Sequence, residues 1–175
     1  MTEKRKAKLG DIKILVLDVD GVLTDGTLII NSDGSESKSF NILDGHGIKM
    51  WRRAGLKVAF LSGRASQPTK HRAKQLDVDY VFEDCRDKLN AIKEFLGPTG
   101  FSPQQVAYVG DDLTDLPVIK YVGFGAAVAN AVNEVKQYAD YVAACEGGKG
   151  AVREVIEYIL KNAGKWQELM KRYLQ

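Results

Sequence analysis

The sequence predicts an α/β fold, a doubly wound Rossmann-like arrangement of helices around a central parallel sheet. Three observations carry this reading. Short apolar runs at residues 12–17, 57–61, 79–82 and 106–109 alternate with helix-length stretches, the pattern of strands buried on both faces and joined by helical crossovers. Three of these runs end in polar clusters, Asp18/Asp20, Ser62 and Asp111/Asp112, and open α/β sheets bind ligands outside the carboxyl ends of their strands. The 175 residues suffice for a single domain over 1–175 with its own core, and 45% hydrophobic with 27% charged residues is ordinary for a soluble globular chain.

Residues 1–10 are polar and rich in Lys and Arg, and lack the apolar segment of a signal peptide, so they read as a frayed arm. Residues 12–17 are the first strand, running into Asp18-Val19-Asp20-Gly21-Val22-Leu23-Thr24. Residues 27–30 and 36–40 flank Asn31-Ser32-Asp33-Gly34-Ser35, which predicts a β-hairpin flap over about residues 25–41. The hairpin is too small to be a domain and sits beside the carboxylate pair. Its Leu28, Ile29 and Ile30 need something to pack on, and a neighbouring subunit fits, because exposed strand edges invite pairing.

Residues 41–45 lead into a helix over 48–54, closed by Gly55. The strand at 57–61 ends in Ser62-Gly63-Arg64 and a helix follows over 67–76. After the strand at 79–82, Lys88 lies at the start of a helix over 87–96, which Gly97-Pro98 is expected to stop. Ser102 caps a turn before Pro103. The strand at 106–109 ends in Gly110-Asp111-Asp112, followed by a short helix over 114–120 with Pro117 in its first turn. Residues 124–129 and 141–143 are extended. An amphipathic helix covers 150–161, Gly164 interrupts it, and 165–174 form a helix within the tail 164–175.

A net charge of +2 is too small to imply nucleic-acid binding, and no window approaches a membrane span. Cys85 and Cys145 have no metal-type spacing, which favours a reduced, cytoplasmic chain. His46 and His71 have no ligand partner at useful spacing. Gly123-Phe124-Gly125 lacks the long helix and acidic partner of a dinucleotide site. Arg52-Arg53 and Lys165/Lys171/Arg172 read as solvated faces.

Taken alone, Asp18-Val19-Asp20-Gly21 admits three readings: a solvated turn, a calcium loop without its further ligands and closing Glu, or a magnesium site with a nucleophilic carboxylate. The other strand ends decide between them. Right-handed crossovers bring Asp18, Asp20, Ser62, Lys88, Asp111 and Asp112 to one edge of the sheet. Clustered carboxylates repel unless a cation is present, and hard oxygen ligands favour Mg²⁺. Asp18 then suits nucleophilic attack on a phosphate monoester. Asp20, two residues on, suits protonation of the leaving oxygen and later deprotonation of water. Ser62 and Lys88 suit the phosphoryl oxygens.

In order and spacing, Asp18-Val19-Asp20-Gly21-Val22-Leu23-Thr24, Ser62-Gly63-Arg64, Lys88 and Gly110-Asp111-Asp112-Leu113-Thr114-Asp115 resemble the four motifs of haloacid-dehalogenase-superfamily phosphatases, across nearly the whole chain. The small hairpin is similar to the capless branch. The run from Asp20 to Gly26, residues 41–47, and Gly147-Gly148-Lys149-Gly150-Ala151-Val152-Arg153-Glu154 resemble the phosphatases of an eight-carbon sugar-acid 8-phosphate that serve lipopolysaccharide synthesis.

The resemblance implies Mg²⁺ bound by Asp18, the backbone carbonyl of Asp20, and Asp111, with Asp112 and Asp115 behind them. It implies a homotetramer in which hairpins pair into a central barrel and subunits complete each other's sites. Asn41, Ile42, Leu43, Asp44, Gly45, Lys49, Arg64 and Arg72, with Asp20 and Lys88, would meet the substrate. Arg72 would come from a neighbouring subunit and face its carboxylate, for which an Arg fork is suited. Asp115 has a second reading, as a cap of the helix beside it. A branch acting on a nine-carbon sugar-acid 9-phosphate carries Glu where this chain has Arg64, which favours the eight-carbon substrate. A non-catalytic oligomerisation module is the reading from another class; Asp18, Asp20, Lys88 and Asp111 are all present and weigh against it. The Lys-rich tail departs from the Gly-rich tails of that branch.

Overall fold

The computed structural model describes residues 8–174. Most of the expected N-terminal arm lies outside these residues; its end, Leu9–Asp11, is a single 3₁₀ turn. Six strands form one parallel sheet: β1 (Ile14–Leu17), β4 (Lys57–Leu61), β5 (Tyr80–Phe82), β6 (Val106–Gly110), β7 (Phe124–Ala127) and β8 (Tyr141–Val142). Their order is β5-β4-β1-β6-β7-β8. The chain builds outward from β1 to β5, then returns to the other side of β1 with β6. The crevice at that reversal, outside the carboxyl ends of β1 and β6, is where such sheets bind ligands.

Register fixes what meets there. Leu17 pairs with Phe60 on one side and Val109 on the other. Asp18 therefore stands level with Leu61 and Gly110, one residue short of Ser62 and Asp111. Its amide donates to the Val109 carbonyl at 3.1 Å, which keeps the end of β1 in line. Every side chain of β1 is fully buried, as the unbroken apolar run requires.

The helices are α1 (Ile42–Arg53), α2 (Gln67–Leu76), α3 (Lys88–Thr99), α4 (Leu116–Tyr121), α5 (Asn133–Tyr138), α6 (Ala151–Asn162) and α7 (Trp166–Met170). They flank the sheet in two groups: α1 packs on α6 and α2, and α4 on α3 and α5. The strands β2 (Ile29–Ile30) and β3 (Glu36–Ser37) make the expected hairpin, antiparallel and separate from the main sheet. Leu28, Ile29 and Ile30 are exposed on it.

Several boundaries differ from the sequence reading, each for a physical reason. The helix expected at 48–54 starts at Ile42, where the Asn41 side chain accepts from the Leu43 amide at 2.7 Å. Gly45 and Gly47, inside that helix, make room for neighbours: a Cβ at 45 would strike the Arg72 guanidinium, and one at 47 would meet Arg153 at 3.0 Å. The helix expected to stop at Gly97-Pro98 continues to Thr99. The Thr99 hydroxyl donates to the Phe95 and Leu96 carbonyls, and the left-handed stop falls on Gly100. The helix expected at 114–120 covers Leu116–Tyr121, and the strand expected at 124–129 ends at Ala127. The six-residue α5 was not expected, because only Val135 on it is buried and no apolar period shows. The tail breaks into α7 and a 3₁₀ turn, Lys171–Tyr173, rather than one helix.

Candidate active site

The Asp18 carboxylate emerges from the end of β1 nearly buried. The loop after it turns through Gly21, whose positive φ of 88° suits glycine. The Thr24 hydroxyl accepts from the amides of Gly21 and Gly26, fixing the turn. A Cβ on Gly21 would collide with the Asp111 carboxylate, so this glycine lets the loops after β1 and β6 approach closely. Lys88, the first residue of α3, is brought to the same point, with its ammonium 2.9 Å from Asp18 Oδ1 and 2.6 Å from Asp115 Oδ1.

Asp115 is fully buried and saturated with donors. Oδ1 accepts from Lys88 and from the Tyr108 hydroxyl at 2.6 Å, and Oδ2 from the amides of Asp111 (2.9 Å) and Asp112 (3.1 Å). It makes no side-chain cap bond to α4, so the capping alternative is not what the structure contains. It instead pins the loop carrying Asp111 and steadies the lysine. Carboxylate oxygens of Asp18, Asp111 and Asp115 all lie within 4.8 Å of one another.

This packing shapes the electrostatics. Burial pushes the Asp18 carboxyl well above the usual carboxylate range, and the Asp115 charge adds to that. Burial, then Asp115, raises Asp111 to about 6. Burial alone would lower Lys88, but Asp18 and Asp115 outweigh it, and its ammonium is held more firmly than usual. Burial and the Asp115 charge also push the Tyr108 phenol well up.

Acids this close cannot all carry charge comfortably without a cation. The donor set is all hard oxygen, which fits a magnesium-type ion. Because Asp115 already has four donors, Asp18 and Asp111 are the side chains with oxygens left for an ion.

Asp18, Asp20, Ser62, Arg64, Lys88, Asp111 and Asp112 line one open cavity of about 410 Å³. The strand-end clusters of the sequence thus meet at one place. Ser62 is buried, and its hydroxyl accepts from the Arg64 amide at 3.2 Å. Arg64 reaches back to the hairpin, with Nη2 3.1 Å from Glu36 Oε2. Asp20 Oδ1 is 2.5 Å from the Lys38 ammonium, also on the hairpin.

The other expected substrate residues lie elsewhere on this chain. Asn41 caps α1 and donates to the Gly148 carbonyl at 3.2 Å. Ile42 and Leu43 are exposed. The buried Asp44 carboxylate accepts from the amides of Gly150 and Arg153, facing α6. Gly45 abuts Arg72. Lys49 lines a different cavity with Arg52, Arg53 and Asp77. Arg72 donates to the Asn41 carbonyl at 2.9 Å and lies over the Phe40 ring.

Sequence reasoning missed Lys38, Glu36, Tyr108 and Arg86. Tyr108 sits inside an apolar strand and reads as core. Arg86 lines the cavity two residues before Lys88. Arg53, read as solvated, donates to the Tyr173 hydroxyl in the tail at 2.8 Å. His46 sits between Tyr173 and Arg153. Cys85 and Cys145 are both free. Among the described residues no helix is long and apolar enough to cross a membrane.

Comparison with known proteins agrees with this architecture. Residues 81–156 match a haloacid dehalogenase-like hydrolase family model. The 3-deoxy-D-manno-octulosonate 8-phosphate phosphatase KdsC of Escherichia coli K12 is 41% identical over 162 residues, 93% of this chain and 86% of that protein. A probable YrbI-family phosphatase from Pseudomonas syringae superposes with a TM-score of 0.94 at 45% identity, covering 96% of each chain. The 3-deoxy-D-manno-octulosonate 8-phosphate phosphatase of Moraxella catarrhalis, solved with magnesium, phosphate and KDO, superposes with a TM-score of 0.92 at 37% identity, covering 95% of each chain. With the strand-end motifs gathered at one cavity and this likeness running through nearly its whole length, the chain belongs to the haloacid dehalogenase-like hydrolases, in the family of the KdsC phosphatases.

Proposed function

We propose that this chain is a Mg²⁺-dependent phosphomonoesterase that hydrolyses 3-deoxy-D-manno-octulosonate 8-phosphate to the free sugar acid and inorganic phosphate, in lipopolysaccharide synthesis. The observation that carries the reading is the linked set Asp18–Lys88–Asp115 with Asp111 beside it, of which Asp18, Lys88 and Asp111 line one cavity. Relatives at 41% identity bear that activity in their names.

In this reading Asp18 is the nucleophile. One of its oxygens bonds to phosphorus as the phosphorus–sugar oxygen bond breaks, and Asp20 gives its proton to the departing oxygen. In the second half Asp20 takes a proton from water, the water oxygen bonds to phosphorus, and the bond to Asp18 breaks, releasing phosphate. The Lys88 ammonium offsets negative charge at the nucleophile, and Asp115 keeps it aimed there. The Ser62 hydroxyl binds a phosphoryl oxygen. Asp18, Asp111 and the Asp20 carbonyl would hold Mg²⁺, with Asp112 and Asp115 supporting that loop. When bound, the ion supplies positive charge to the phosphoryl oxygens and lets an anionic nucleophile approach an anionic ester.

The chain acts in this reading as one domain within a cytoplasmic homotetramer. Exposed Leu28, Ile29 and Ile30 on the hairpin, and Ile42 and Leu43 at the start of α1, support burial against neighbours. Residues 41–45, Lys49 and Arg64 then meet the substrate, and Arg72, which does not line this chain's own cavity, does so from a neighbouring subunit.

The test is a phosphate-release screen over sugar phosphates, including the eight- and nine-carbon sugar-acid esters, with Mg²⁺ and with EDTA. The eight-carbon ester is expected to give the highest kcat/KM, and EDTA to abolish release until Mg²⁺ is restored. Undiminished release in EDTA would remove the metal from the reading. Preference for the nine-carbon ester would reassign the substrate.

A further inference from the structure

The hairpin carries two ion pairs into the site from one strand. Glu36 lies on β3 and Lys38 just beyond it, two residues apart and so on the same face. Glu36 pairs with Arg64, and Lys38 pairs with Asp20. The Lys38 side chain is only 1% exposed, although its partner Asp20 is 35% exposed. The hairpin therefore cannot lift away from Asp20 without breaking this covered contact.

Resting on the phosphatase reading above, we propose that Lys38 is a positioning residue for Asp20. The hairpin docks onto the site through it and holds one carboxylate oxygen, Oδ1. The other oxygen is thereby set for the leaving oxygen of the ester. The step it serves is the first half-reaction: the phosphorus–sugar oxygen bond breaks as Asp18 bonds to phosphorus, and the proton on Asp20 passes to the sugar oxygen. Glu36 fixes the strand at its other contact by holding Arg64, so it acts on substrate recognition rather than on proton delivery. Seating an acid through a buried ion pair limits the rotamers it can visit, and a misplacement of about 1 Å can lower a rate by about 10²-fold.

The experiment exploits the leaving group. An alkyl phosphate needs its departing alkoxide protonated, whereas 4-nitrophenyl phosphate leaves without an acid. Read as the single-turnover rate of leaving-group release, which reports the first half-reaction alone, Lys38→Met is expected to lower the rate for the sugar-acid phosphate by about 10²-fold and for 4-nitrophenyl phosphate by less than about 5-fold. Asp20→Asn should show the same selectivity, and the double variant should fall no further than Asp20→Asn alone. Glu36→Gln should raise KM and leave the ratio between the two substrates unchanged. A readout independent of turnover is amide exchange in the metal-free protein, where Lys38→Met should speed exchange over residues 27–40 and not in the main sheet.

Lys38→Arg keeps the charge and alters the reach. It should shift the ratio in the same direction by a smaller factor, and it serves where Lys38→Met does not fold. Equal loss on both substrates, or a double variant whose losses multiply, overturns the positioning role while wild-type hydrolysis leaves the phosphatase reading intact. A wild-type chain that releases phosphate from neither substrate overturns both.

Discussion

Two carboxylates of this chain, Asp115 and Asp44, are almost equally hidden, at 0% and 1% exposure. Asp44 accepts backbone amides at the start of α6, from Gly150 at 3.3 Å and Arg153 at 2.8 Å. Burial raises its carboxyl, and those amides, followed by the Arg72 charge, pull it back. Asp115 also accepts two backbone amides, but it shares Lys88 with Asp18 and crowds Asp111. The difference teaches that burial does not mark a reactive acid; its company does. Backbone amides alone make a joint between helices. Like charges packed beside one lysine make a place where a cation or a phosphoryl group is wanted.

The strongest way to break this comparison is to neutralise one acid on each side. Asp18→Asn should lower phosphate release by about 10⁴-fold or more, because an amide oxygen is a poor nucleophile while the rest of the site persists. The Asn carbonyl can still accept from Lys88, so the folded structure should survive, as thermal unfolding would report. If Asp44→Asn depressed kcat as deeply, the division between a reactive cluster and a structural joint would collapse.

The same division explains what the sequence made legible. Asp18, Ser62, Lys88 and Asp111 stand where an apolar run stops or a helix begins, so a break in periodicity points to each of them. Lys38 and Arg86 have no such marker. Lys38 matters because the hairpin folds back onto Asp20, a contact across eighteen residues that no local pattern encodes. Asp44 reads from sequence as part of a lead-in segment. It becomes a joint because α1 starts at Ile42 and passes beside α6, with Gly47 giving the clearance there and Gly45 making room for Arg72 of α2. Glycines chosen for close approach look like glycines chosen for turns until the neighbour is known.

Asp44→Asn should act chiefly on stability. The side-chain amide keeps one acceptor but turns an NH₂ group toward a backbone N–H, leaving buried donors facing one another. The expected loss is about 1–3 kcal/mol in unfolding free energy, measured by denaturant titration. Any change in turnover should fall in KM, through residues 41–45, with kcat holding within about threefold. A fully stable variant with a collapsed kcat would move Asp44 into the reactive group.

A finer test uses pH, at the far side of the same joint. Glu154 on α6 accepts from the Tyr141 hydroxyl at 2.7 Å, the Ala144 amide at 2.9 Å and the Cys145 amide at 3.0 Å. Burial alone would raise its carboxyl, but those donors outweigh it and hold it below the usual value. A depressed carboxyl means the folded chain binds fewer protons than the unfolded one over the acid range. Its stabilisation is therefore present above the unfolded value of 4.5 and fades as pH falls through the lower folded one. Asp44, shifted upward, has the opposite sign: what it contributes declines as pH rises from 3.8 through its folded value. Glu154→Gln should consequently lower stability at neutral pH by less than about 1.5 kcal/mol and flatten the acid limb of the pH–stability curve. Asp44→Asn should leave that limb as steep as before or steeper, because it removes a contribution that partly opposes it. Unfolding midpoints measured from pH 3 to pH 7 would separate the two; parallel curves for both variants would mean that the joint's two acids are not held by their amides in opposite senses.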